Sequence, residues 1–91
     1  MVGYLAISLA GHDKNRLYMI MEETKETVML SDGNIRPISR MKCKKKKHIR
    51  IVKKIIDEEL TGKIRSGTEC RNEEIKYALK IYQQSLEKSN D

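Results

Sequence analysis

Between Asp32 and Asp57 the chain has no acidic residue, and that interval holds Arg36, Arg40, Lys42, Lys44, Lys45, Lys46, Lys47, Arg50, Lys53 and Lys54. Ammonium and guanidinium groups at this density neutralise a polyanion and release its condensed counterions, which makes binding favourable and salt-sensitive. Four consecutive lysines repel one another, so the run is expected to be an extended, mobile loop when free. Two blander uses exist, a solvated loop kept for solubility or a nuclear-import patch. Anionic lipid also attracts clusters of about 4–8 cations, but no apolar anchor helix or lipidation motif accompanies this one.

The other reactive residue types form no catalytic pattern. His12 lies beside Asp13, yet no nucleophile partner or phosphate-cradling glycine loop goes with it. Cys43, His48 and Cys70 lack the close paired spacing of a structural zinc site. Neither enzyme chemistry nor a metal or other cofactor is expected. Aromatic interleaving is sparse: Tyr4 and Tyr18 are in the first half, Tyr77 and Tyr82 in the second, and there is no Phe or Trp. Recognition of a polyanion should then depend on shape and phosphate more than on base stacking.

With 91 residues, 38% of them hydrophobic, the chain has material for one small core and no second domain. No stretch reaches the roughly 18 apolar residues of a membrane span. The N-terminus lacks the basic, apolar and small-residue order of a secretion signal, so a cytoplasmic location is expected, with the two cysteines as thiols. The net charge of +6 is unevenly distributed. Ten of the 19 basic residues lie in the acid-free interval, and the remainder carries nine basic against 13 acidic residues. The chain is an acidic-leaning scaffold with one cationic arm.

Hydrophobic periodicity indicates which elements position that arm. Leu5, Ile7 and Leu9 alternate with smaller residues as the buried face of a strand, leaving Tyr4 on the opposite parity for packing or for a stacked base. Residues 17–21 and 27–31 read as further strands. Asp32-Gly33 signals a type I′ hairpin, residues 35–38 a short fourth strand and residues 48–52 a fifth. Pro37 lacks an N–H for a ladder and belongs at an edge or bulge. Met19, Met21 and Met29 are expected to fill a core without Phe. From Asp57 the period becomes helical. Glu58 and Glu59 favour a first turn and Gly67 a C-terminal cap, with Asn72 as N-cap of a second helix. Ile75, Ala78, Leu79, Tyr82 and Leu86 form one apolar stripe, a docking face for the sheet or a protein-binding surface. The last few residues should fray. Five short strands in about fifty residues suit a small, strongly bent barrel.

One segment carries a family resemblance. Residues 5–20, LAISLAGHDKNRLYMI, resemble a KOW motif: a strand, a tight loop on a glycine, and a second strand. The match continues through Ser31-Asp32-Gly33-Asn34-Ile35-Arg36 and the basic run to His48-Ile49. In that order the segments are similar to the small KOW-domain RNA-binding proteins of Firmicutes, and through them to archaeal and eukaryotic large-subunit ribosomal proteins. Many members have glycine where this chain has Asn15, the non-glycine residue type that best tolerates a left-handed conformation.

The resemblance implies a mostly β protein with C-terminal α structure. Residues 1–56 would form an SH3-like barrel including the basic loop 36–54, and residues 57–91 a short and a longer helix packed on it. It also implies RNA as partner, structured ribosomal RNA of the ribosome or its assembly intermediates, bound without catalysis. Gly11, Asp13, Asn15 and Gly33 would shape the loops, Asp13 through side-chain to backbone hydrogen bonds. Lys14, Arg16, Arg36, Arg40, Lys42, Lys44, Lys45, Lys46, Lys47, His48 and Arg50 would contact RNA. The alternative is a protein-interaction module of a transcription or translation complex, anchored by the stripe of the last helix.

Overall fold

The computed structural model describes residues 1–88, excluding the side chain of Lys88, so the residues where fraying is expected lie outside the described residues. Five antiparallel strands are followed by two helices: β1 (Leu5–Ser8), β2 (Leu17–Glu23), β3 (Thr27–Ser31), β4 (Lys42–Lys45), β5 (Ile49–Val52), α1 (Glu58–Ser66) and α2 (Asn72–Lys88). The sheet order is β4-β3-β2-β1-β5. No helix among the described residues is long and apolar enough to cross a membrane.

β4 and β5 are the opposite edges of this sheet, yet only the 3₁₀ turn Lys46–His48 separates them. In a flat five-stranded sheet the edges would be about 19 Å apart, whereas a three-residue 3₁₀ connector advances only about 6–8 Å. The sheet is therefore strongly curled, aided by a bulge in β2 between Ile20 and Glu22. Among the described residues no ladder joins β4 to β5, so the sheet remains open at that seam.

Curling gives the sheet two apolar faces. Ala6, Tyr18, Ile20, Val28, Leu30 and Ile49 fill the concave side. Leu5, Met19 and Val52 on the convex side pack against Leu60 and Ile64 of α1 and Ile75, Ala78 and Leu79 of α2. The expected alternation in β1 is corrected accordingly. Leu5 is buried under the helices and Leu9 is 44% exposed, while the opposite parity, Ala6 and Ser8, enters the concave core. A strand covered on both faces loses the one-sided pattern that alternation detects. Tyr18, 1% exposed, is the largest fully buried side chain; Met19 is buried, and Met21 and Met29 are half-buried.

Both helices start and stop for local reasons. Asp57 caps α1 by accepting from the Leu60 amide at 3.0 Å, and Gly67 ends it in the left-handed conformation. At α2 the expected Asn72 cap is displaced by one residue. The Arg71 carbonyl accepts the first helical bonds, and the Arg71 amide donates to Glu74 Oε1 at 3.2 Å. Asn72 Oδ1 instead accepts from the Ile38 amide at 2.8 Å, tying α2 to the connection between β3 and β4.

That connection differs most from expectation. Residues 35–38 form no strand, and Asp32-Gly33 is no two-residue hairpin, because ten residues separate β3 from β4. Asp32 Oδ1 accepts from the amides of Asn34 and Arg36, both at 2.8 Å, so it organises a wider turn. Pro37 precedes the 3₁₀ turn Ile38–Arg40. Gly33 rests directly on α2, where a Cβ would collide with the Asn72 carbonyl oxygen and approach the Lys76 amide to 2.9 Å. Close approach, more than hairpin geometry, explains that glycine. The lysine run is corrected too: it is edge strand β4 and a 3₁₀ turn instead of a mobile loop. Lysines protect a sheet edge from pairing with other strands, which accounts for their tolerance there.

Candidate nucleic-acid interface

The loop between β1 and β2 is a tight reversal. Gly11 and Asn15 both have positive φ, +87° and +73°. The Asn15 amide donates to the Ser8 carbonyl at 2.8 Å, and the Arg16 amide to the Asp13 carbonyl at 2.9 Å. The turn leaves His12, Lys14 and Arg16 exposed and folds Asp13 inward to 6% exposure.

Asp13 is the hub of the site. Its Oδ1 accepts from Lys44 Nζ at 2.6 Å and Ser8 Oγ at 3.0 Å, and its Oδ2 from the Tyr18 hydroxyl at 2.9 Å. Lys42 Nζ lies 3.4 Å from Oδ2. Lys44 also donates to the Ala10 carbonyl at 2.8 Å. Burial pushes the Asp13 carboxyl up, but hydrogen bonds from Lys44, Tyr18 and Ser8 and the charge of Lys42 outweigh it and hold the group well below the usual carboxylate range. Burial pushes the Tyr18 phenol up to about 12, reinforced by its hydrogen bond to Asp13. Asp13 thus orders its loop through side chains reaching from β1, β2 and β4, in place of the expected bonds to loop amides.

This hub divides the lysines. Lys44, with a side chain 9% exposed, and Lys42 turn toward Asp13. Lys46 pairs with Glu23 at 2.9 Å and holds that carboxyl below its ordinary value. Lys45 and Lys47 point outward and, with Lys46 and Glu26, line a shallow hollow of about 340 Å³. Arg36, Arg40 and Arg50 are exposed on the turn 32–36, the following 3₁₀ turn and β5, respectively. His48 is half-buried, and its carbonyl accepts from the Leu9 amide at 2.9 Å. Of the cations expected to contact RNA, Lys14, Arg16, Arg36, Arg40, Lys45, Lys47 and Arg50 are outward-facing, while Lys42, Lys44 and Lys46 serve ion pairs.

Tyr4 is half-buried beneath the Arg65 guanidinium, 5.1 Å from its ring centroid, so its face is covered by protein. Cys43 is exposed on β4 and Cys70 half-buried before α2, both as thiols. Sequence reasoning missed three polar residues of α2, Lys76, Lys80 and Gln83, which border a groove beside Asn15 and Arg16. Their three- and four-residue spacing alongside the apolar stripe was the available signal. No protein-family model matches the chain, and no curated protein matches it.

Proposed function

We propose that the chain is an RNA-binding protein of SH3-like, KOW type that grips structured RNA, ribosomal RNA in particular, through its phosphates. It acts as a ribosomal or ribosome-associated protein in the cytoplasm. The Lys44–Asp13 contact carries this reading. It fastens the loop bearing Lys14 and Arg16 to the strand bearing Lys45, so that exposed cations from two segments of the chain are held on one frame. Exposed cations on a preordered frame neutralise phosphates without first losing loop entropy. The curled sheet with adjacent edges supports the barrel assignment, and the left-handed Gly11 and Asn15 support the KOW-like turn.

The rival reading, a protein-interaction module, relied on the stripe of the last helix. Ile75, Ala78 and Leu79 of that stripe are buried against the sheet and α1. They are occupied in holding the fold together, so RNA is the better-supported partner. Purification without nuclease tests the choice. RNA that co-purifies and is released by high salt, seen in the ultraviolet absorbance ratio, supports the proposal. Protein free of nucleic acid that captures a protein partner instead contradicts it.

A further inference from the structure

The groove beside α2 has a volume of about 520 Å³, within the roughly 300–1,000 Å³ typical of small-molecule sites. Three separately braced walls form it. The loop 11–16 is fixed by the Asp13 hub, the turn 32–36 by Asp32, and α2 by Gly33 and by the Asn72–Ile38 hydrogen bond. Arg16, Lys76 and Lys80 supply positive charge, Leu17 an apolar surface above the buried Leu79, and Asn34 and Gln83 amides. Asp32 contributes one carboxylate, whose Oδ1 is engaged by two backbone amides.

Resting on the RNA reading above, we propose that this groove seats a single unpaired nucleotide of a structured RNA. Arg16, Lys76 and Lys80 take its phosphate, and the base lies against the half-buried Leu17 with its edge toward Asn34 and Gln83. Asp32 fixes the orientation, because a carboxylate repels phosphate but accepts a hydrogen bond from a base amino group. A paired base within an A-form helix presents neither its face nor its full edge, so the groove selects an extruded nucleotide. The helical extension then takes part in recognition while Ile75, Ala78 and Leu79 of its stripe hold the core.

The test compares two fluorescent hairpin RNAs, one fully paired and one carrying a single unpaired adenosine, by anisotropy at fixed salt. The native chain should bind the bulged hairpin about tenfold more tightly, a ratio equivalent to roughly one charge-assisted hydrogen bond. The double variant Lys76→Ser/Lys80→Ser, altered only at exposed helix positions, should bring that ratio to about one while still binding the paired hairpin. The variant Lys45→Ser/Lys47→Ser should weaken both and keep the ratio. Equal binding of the two hairpins by the native chain, or a ratio that survives loss of Lys76 and Lys80, overturns the nucleotide seat and leaves the RNA reading standing. Failure to bind either hairpin overturns both.

Discussion

Lys44 Nζ lies 2.6 Å from Asp13 Oδ1, so a lysine from the centre of the most basic run forms an inward ion pair with the carboxylate at the heart of the loop 11–16. Lys45, the next residue, faces solvent. Neighbouring lysines in one strand therefore have different jobs, because successive side chains of a strand point to opposite faces.

Lys44→Ser and Lys45→Ser should separate these jobs. Loss of Lys44 leaves Asp13 buried with much of its compensation gone and should destabilise the fold by roughly 2–4 kcal/mol. Loss of Lys45 should leave stability within about 0.5 kcal/mol and lower RNA affinity instead. Urea denaturation and RNA titration of both variants check the contrast.

Acid should act through Asp13. Its folded pKa is depressed, so its contribution is complete above the unfolded value of about 3.9 and is lost as pH falls toward the depressed folded value. Stability should decline below about pH 4, and Asp13→Asn should be less stable at neutral pH with a flatter acid limb. Denaturant midpoints across that range provide the measurement. An unchanged slope in the variant would assign the decline to other carboxylates.

Tyr18 should report on the same hub from the alkaline side. With its phenol pushed up to about 12, its contribution to stability should fade as pH rises from about 10. Phenolate absorbance should follow its ionisation, and Asp13→Asn should move it to lower pH.

Much of the fold was legible in the sequence because it is local. The β3 span 27–31, the acidic first turn of α1 and the Gly67 cap each depend on residues within a turn or strand of one another. The tight turn at Gly11 and the left-handed Asn15 were expected from the resemblance to a KOW motif, and both residues have positive φ. The connection 32–41 was not legible, since Gly33 and Asn72 take their roles from a contact between segments far apart in the chain. Charge density located the basic surface but could not sort Lys44 from Lys45. That distinction depends on Asp13, 31 residues before Lys44.

Gly33→Ala should expose this long-range dependence. A Cβ there meets the backbone of α2 at Asn72 and Lys76, and φ is +71°. The variant should lose roughly 2–4 kcal/mol. Gly67→Ala also has positive φ, but its Cβ would meet nothing within 4 Å, so only about 1 kcal/mol should be lost. Thermal unfolding of the pair distinguishes collision from backbone strain.

The central claim is that exposed cations on a rigid frame bind RNA by neutralising phosphates, and the salt dependence of affinity tests it most directly. If about five phosphates are contacted, log affinity for a structured RNA should fall against log salt with a slope of about −3.5 to −4.5. Lys45→Ser/Lys47→Ser should reduce that slope by roughly one to two and weaken all RNAs alike, since phosphate contacts carry little sequence information. A native slope shallower than about −1 would contradict the account.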